Sequence, residues 1–113
     1  MKLAIIGSRN LTNIDIGQYI PLQCREIVSG GARGVDTIAA TFAQQHNLLL
    51  TVFPPDYTRY GRAAPIVRNK QIVDYADEVL AFWDGISKGT LSVIQYCKKT
   101  GKGCRVIHIA VNL

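Results

Sequence analysis

Apolar residues along this chain fall in short, nearly unbroken runs at residues 3–7, 26–29, 48–53, 78–83 and 105–109, with helix-compatible stretches between them. Runs of this length suit strands, and their near-continuity, in place of strict alternation, fits strands buried on both faces. The order reads β-α-β-α-β-α-β-α-β. Such alternation favours parallel strands joined by helical crossovers, so the expected fold is α/β: an open, mostly parallel five-stranded sheet with helices on both faces. At 113 residues the chain has room for one domain, and residues 1–113 are read as that domain. No repeat, linker or low-complexity tract interrupts it. The one long irregular piece is Pro54-Pro55-Asp56-Tyr57-Thr58-Arg59-Tyr60-Gly61-Arg62, where prolines remove backbone donors.

Open α/β sheets bind ligands at the carboxyl ends of their strands, so the residues just after each predicted strand are where chemistry is expected. They share one character. Gly7-Ser8-Arg9 follows the first strand and Gly30-Gly31-Ala32-Arg33-Gly34 the second; Arg59, Arg62 and then Arg68-Asn69 follow the third, and Asp84-Gly85-Ile86-Ser87-Lys88-Gly89-Thr90 the fourth. In Val28-Ser29-Gly30-Gly31-Ala32-Arg33-Gly34-Val35-Asp36 an apolar stretch runs into a glycine-rich turn and then a helix start. Glycine permits positive φ and close approach of a ligand to the backbone, and the first N–H groups of a helix lack intrahelical partners, so this segment reads as a phosphate cradle. Arg9, Arg33, Arg59, Arg62, Arg68 and Lys88 are expected to converge on one edge, where guanidinium forks suit phosphate. Asp36 has two readings, a cap on orphan N–H groups or an acceptor for ribose hydroxyls. Tyr57, Tyr60 and Trp83 likewise serve base stacking or simple packing. Residues 85–90 are not a Walker A loop, because Lys88 precedes Gly89 instead of following the last glycine, and no GxGxxG fingerprint occurs.

Composition narrows the classes. With 48% apolar and 19% charged residues the chain is globular, and no apolar run approaches the roughly 20 residues of a membrane span. Three cysteines without C-x-x-C spacing are expected as reduced thiols, and Met1-Lys2 leads directly into the first strand with no leader pattern, so a cytoplasmic protein without membrane attachment is expected. His46 and His108 are isolated, and neither a metal nor a cofactor is expected. A net charge of +5 suits an anionic partner, and residues 85–113 hold no acid while carrying Lys88, Lys98, Lys99, Lys102 and Arg105. That basic third is either a solvated helix face or part of an electrostatic footprint.

Taken in order, Gly7-Ser8-Arg9, Ser29 to Asp36, Pro55-Asp56-Tyr57 with Arg59-Tyr60-Gly61, Arg68-Asn69, Ala76-Asp77, and Phe82-Trp83-Asp84-Gly85 with Ser87-Lys88-Gly89-Thr90 resemble the SLOG superfamily, which unites DprA/Smf proteins with LOG-type nucleotide hydrolases, and especially its small YspA-like members. The resemblance implies a Rossmann-like fold and a site for a nucleotide or nucleotide-derived ligand: a nucleoside phosphate, an ADP-ribose or a cyclic-nucleotide derivative. It also implies a sensing or sequestering role and relatives that assemble as homodimers or higher oligomers. The implied ligand residues are Gly7, Ser8, Arg9, Gly30, Gly31, Arg33, Gly34, Asp36, Arg59, Arg62, Arg68, Asn69, Asp84, Ser87, Gly89 and Thr90. LOG-type enzymes carry a Pro-Gly-Gly-x-Gly-Thr-x-x-Glu block whose glutamate helps break an N-glycosidic bond, and here Ile86, Ser87 and Val93 stand at the paired glycines and the glutamate. Valine disables that route, since an oxocarbenium-like state needs a carboxylate. Asp36, Asp56 or Asp84 would have to serve in an alternative nucleoside 5′-monophosphate N-glycosidase. DprA-like binding of single-stranded DNA along the basic edge is the second alternative.

Overall fold

The computed structural model describes residues 1–110. Five strands, β1 (Lys2–Gly7), β2 (Glu26–Ser29), β3 (Leu49–Val52), β4 (Glu78–Trp83) and β5 (Cys104–His108), form one sheet in the order β3-β2-β1-β4-β5, and every pairing is parallel. Chain order runs outward from β1 in both directions, so a crevice opens where neighbouring strands β1 and β4 send their chains to opposite sides. Helix α1 (Val35–Gln45) links β2 to β3; α2 (Tyr57–Tyr60) and α3 (Ala64–Tyr75) link β3 to β4; α4 (Lys88–Thr100) links β4 to β5.

Alternate residues of β1 feed two apolar layers. Leu3 and Ile5 join Ile27, Leu80, Phe82 and the α1 stripe Val35, Ala39 and Ala43 on one face; Ala4 and Ile6 join Val28, Val79, Ala81 and residues of α3 and α4 (Ile72, Val73, Val93, Ile94, Cys97) on the other. The Val35, Ala39, Ala43 spacing of four holds one stripe of α1 against the sheet, and alanine lets the helix axis approach closely. Gly101, at φ 76°, ends α4 in the left-handed conformation with its N–H on the Cys97 carbonyl, while Lys98 and Lys99 sit in the last turn where cations oppose the helix dipole. Cys24, Cys97 and Cys104 are free thiols, and burial pushes Cys97 up to about 12.

The structure departs from the sequence pattern in three places. The first connection, residues 8–25, is not a helix but an irregular segment with a single 3-10 turn at Gly17–Tyr19. Its Leu11, Ile16 and Cys24 are buried against the α1 layer, so the apolar positions there plug the sheet face without helical periodicity. Conversely, the stretch after Pro54-Pro55 is mostly ordered: the Asp56 carboxylate accepts from Arg59 N–H at 3.1 Å and caps α2, and Gly61–Ala63 continues as a 3-10 turn. Double-sided burial holds for the central strands only, since at the sheet edge Leu49 is 66% exposed and Leu50 and Val52 are each 42% exposed.

Two glycines lock the crest. A Cβ on Gly7 would run into the Val35 side chain and lie 2.9 Å from the Phe82 carbonyl oxygen, so glycine there lets α1 start against the tip of β1. Gly34, at φ 77° and ψ -126°, is pressed onto the Arg9 backbone, where a Cβ would lie 2.6 Å from the Arg9 carbonyl oxygen; Gly101 also has positive φ, but in the left-handed helical conformation at ψ 14° and with open space. Left-handed strain alone costs an alanine about 1–2 kcal/mol, and forced overpacking adds about 1–3 kcal/mol. Gly101→Ala is therefore expected to cost about 1–2 kcal/mol and Gly34→Ala about 3 kcal/mol or more in urea unfolding, and equal losses would show that neither the contact with Arg9 nor the backbone conformation of Gly34 adds weight.

Candidate functional site

The crest is stitched from both sides of the β1–β4 crevice. Ser8, almost fully buried, donates its backbone N–H to the Phe82 carbonyl at 3.1 Å and accepts Asp84 N–H on its hydroxyl at 3.3 Å, so the ends of β1 and β4 are tied through one residue. Beyond β4, one Asp84 carboxylate oxygen accepts from Ile86 N–H at 2.8 Å and Ser87 N–H at 2.7 Å. Ser87 then caps α4, its hydroxyl accepting from Thr90 N–H at 3.4 Å, while Trp83 Nε1 donates to the Ser87 carbonyl at 3.0 Å. These N–H groups hold the Asp84 carboxyl below the ordinary aspartate value, Ser87 most strongly and then Ile86.

Across the crevice the loop between β2 and α1 is held from α3. Arg68, 7% exposed, reaches through to donate Nη1 to the Gly30 carbonyl at 2.6 Å and to the Phe53 carbonyl at 3.4 Å, and Nε to Asn69 Oδ1 at 3.0 Å. A Cβ on Gly30 would sit 2.6 Å from Arg68 Nη1 and 3.1 Å from Asp36 Oδ2, so the missing side chain makes room for both charged groups. Asp36, 8% exposed, turns back to accept Ala32 N–H on Oδ2 at 3.0 Å. Burial pushes its carboxyl above the ordinary aspartate value, against the pull of the Ala32 N–H and of the Arg68 and Arg9 charges. Burial likewise draws the Arg68 guanidinium down from the ordinary arginine value, opposed by Asp36, although guanidinium stays charged at any working pH.

Between these walls lies a cavity of about 440 Å³, bounded by the ends of β1, β2 and β4 and the starts of α1, α3 and α4. Gly7, Ser8, Arg9, Gly30, Asp36, Arg68, Asn69, Asp84, Ser87, Gly89 and Thr90 all line it. Gly31, Arg33, Gly34, Arg59 and Arg62 do not, nor do Asp56 and Lys88. Gly31, with Ser29 Oγ accepting its N–H, and Gly34 shape the loop behind the wall, whereas Arg33, Arg59 and Arg62 are exposed beside it. Arg59 instead lies over the Tyr60 ring at 5.3 Å. Asp56 is spent on capping α2, and the Trp83 ring packs against the α3/α4 layer. The sequence reading missed Asn10, Pro65 and Ile72, which also line the cavity. Helical periodicity carries the signal for the last two: Pro65, Arg68, Asn69 and Ile72 are the i, i+3, i+4 and i+7 positions of one α3 face.

The glycines of the cavity differ in one respect. Gly7 and Gly30 are accounted for by protein atoms that fill the place of their side chains, but a Cβ on Gly89, in the first turn of α4, would meet nothing within 4 Å. Glycine near a helix start with no packing reason costs about 0.5–1 kcal/mol relative to alanine, and here it leaves bare backbone against the cavity. Among the described residues no group of three or more His, Cys, Asp and Glu side chains is placed to hold a metal ion, and no helix is long and apolar enough to cross a membrane.

Sheet order, crossovers and a cleft at the point where strand order reverses define an open parallel α/β protein of the Rossmann-like class. Residues 19–60, which carry β2, the Gly30 to Asp36 loop, α1, β3 and α2, match the family described as YspA, cpYpsA-related SLOG family. This match supports membership of the SLOG superfamily. No curated protein and no solved structure gives a significant match.

Two stability outcomes follow from the buried charges. Arg68→Met removes three charge-assisted donors and leaves the Gly30 carbonyl without its partner, with an expected loss of about 2–4 kcal/mol in chemical denaturation. Asp36 titrates higher folded than unfolded, so its favourable contribution is complete below the unfolded value of 3.8 and is lost as pH rises through the folded value. Asp36→Asn is thus expected to raise the melting temperature relative to wild type progressively as pH rises from about 4 through the folded Asp36 titration, and then to hold that gain; a difference that stays constant from about pH 4 upward contradicts the assignment.

Proposed function

We propose that the protein binds a nucleotide or nucleotide-derived signal in the crest cavity and acts by sensing or sequestering it. The observation that carries this reading is that four separated sequence blocks, at residues 7–10, 30–36, 65–72 and 84–93, close around one cavity in which glycine backbone, hydroxyls, two arginines and two carboxylates face the same space. Its volume lies in the ordinary range of small-molecule sites. Membership of the SLOG superfamily supports a nucleotide-related role.

In this reading the anionic end of the ligand sits over Gly89 and the α4 start, where bare backbone permits the closest approach, with Arg9 supplying charge. Arg68 contributes through Nη2, which has no hydrogen-bond acceptor among the described residues. Asp84 keeps one carboxylate oxygen without a backbone donor and accepts from hydroxyl groups of the sugar, and Asp36 faces the same polar part of the ligand. A mixed lining of this kind disfavours bare polyphosphate, which would meet two carboxylates, and favours an ester joining charge to a polyol.

One observation favours a second reading, hydrolysis of an N-glycosidic bond. Of the three carboxylates considered as acids, Asp36 alone both lines the cavity and titrates above its ordinary value, whereas Asp84 is held ionised and Asp56 lies elsewhere. Val93 is a buried apolar wall of the same cavity and offers no second carboxylate. Release of free base from nucleoside monophosphates, abolished in Asp36→Asn, would establish this reading; intact nucleotide after prolonged incubation excludes it.

Gly89→Ala separates binding from folding. Alanine in the first turn of α4 meets no protein atom, so stability is expected to hold or rise by up to about 1 kcal/mol. Binding of ADP-ribose or nucleoside phosphates by titration calorimetry is expected to weaken tenfold or more, and unchanged affinity would remove α4 from the site. Native mass spectrometry of protein purified from cells is expected to show a nucleotide-sized mass travelling with the chain.

A further inference from the structure

We propose that capture of an anion in the crest cavity is coupled to uptake of one proton by Asp36, which changes from hydrogen-bond acceptor to donor as the ligand enters. This rests on the nucleotide-binding reading above and adds a specificity rule to the same site. The geometry behind it is a carboxylate more than nine-tenths buried that lines the cavity, with Oδ2 accepting Ala32 N–H at 3.0 Å, the Gly30 N–H also facing the carboxyl, and its remaining acceptor capacity turned to the cavity.

The groups facing Asp36 are few. From its own loop come the N–H groups of Ala32 and Gly30, from α3 the Arg68 guanidinium, and from the loop after β1 Arg9. Among the described residues neither arginine forms an ion pair with the carboxylate; Arg68 and Asp36 approach each other at the place of the missing Gly30 side chain, and both arginines line the cavity. The negative charge of Asp36 is therefore compensated in part by two arginines that line the same cavity an anion would enter. An entering phosphate draws on Arg9 and Arg68 and adds a like charge beside a desolvated carboxylate, and both effects favour the neutral acid. A proton from solvent relieves the repulsion, and the new carboxyl O–H can donate to a ligand oxygen.

Asp84 does not share this behaviour. It lines the same cavity, but two backbone N–H groups hold its ionised form, so the proton goes to Asp36. The ligand itself makes the sign diagnostic. A phosphate monoester, with its second ionisation near pH 6, loses a proton on meeting arginine, whereas a pyrophosphate diester has none to lose near neutrality.

The test is calorimetric titration with ADP-ribose, a pyrophosphate diester, in two buffers of different ionisation heat at the same pH. Between the free and bound Asp36 titrations wild type is expected to take up most of one proton per ligand, with affinity falling towards tenfold per pH unit over that window; in Asp36→Asn both effects vanish. A companion measurement without a variant follows the Asp36 carboxyl carbon by NMR, and its midpoint is expected to move up by about two pH units or more with bound ADP-ribose. Binding without proton uptake, or uptake that survives Asp36→Asn, overturns the coupling and leaves the nucleotide reading standing. Failure of wild type to bind ADP-ribose, nucleoside monophosphates or sulfate overturns the reading and the coupling together.

Discussion

The Arg68 guanidinium under the Gly30 carbonyl is the contact on which the crest depends. It joins a helix on one face of the sheet to a loop that leads to the helix on the other, and it does so from a nearly buried position where an unpaired carbonyl or guanidinium would cost several kcal/mol. Once that bond is made, Gly30 cannot bear a side chain, the loop must turn at Gly31 and Gly34, and α1 must begin against Gly7. The position of Asp36 follows from the same chain of contacts.

Carboxylates occupy backbone donors on both sides of the cavity. Asp84 takes two N–H groups before α4, and Asp36 takes one in the loop before α1. Both turns are thereby held in shape without a ligand, so the walls are preformed, and little ordering cost remains for a molecule that enters. The two carboxylates nonetheless differ in chemistry. Asp84 sits among donors that stabilise charge, whereas Asp36 sits where burial opposes it, and the Ala32 N–H with the Arg68 and Arg9 charges offsets only part of the penalty. Two aspartates on one cavity are in this way given different protonation behaviour by their surroundings.

Much of the fold was legible in the chain itself. Continuous apolar runs located all five strands to within a residue or two, because a strand covered on both faces has no polar face to break the run. Gly7, Gly30, Asp84, Gly89 and Arg68 could be singled out because ligand sites in open parallel sheets lie after the strands. The first connection misled, since Leu11, Ile16 and Cys24 are buried by plugging a face, a role that leaves no period to read. Exposure of Leu49, Leu50 and Val52 was hidden for a similar reason: an edge strand and a central strand carry the same residues, and only sheet order separates them.

By itself the sequence determined the five strands, the alternation of strand and helix from β2 onward, the parallel sheet that alternation requires, and the glycine and polar character of the strand ends, because each is local pattern or local backbone freedom. Only the tertiary structure decided which charged residues meet. Arg68 and Arg9 line the cavity while Arg33, Arg59 and Arg62 stand outside it, and Asp36 is buried while Asp56 merely caps a helix. Those outcomes depend on the angle at which each loop leaves the sheet and on how much water the packing excludes, and both are set by contacts between segments far apart in the chain.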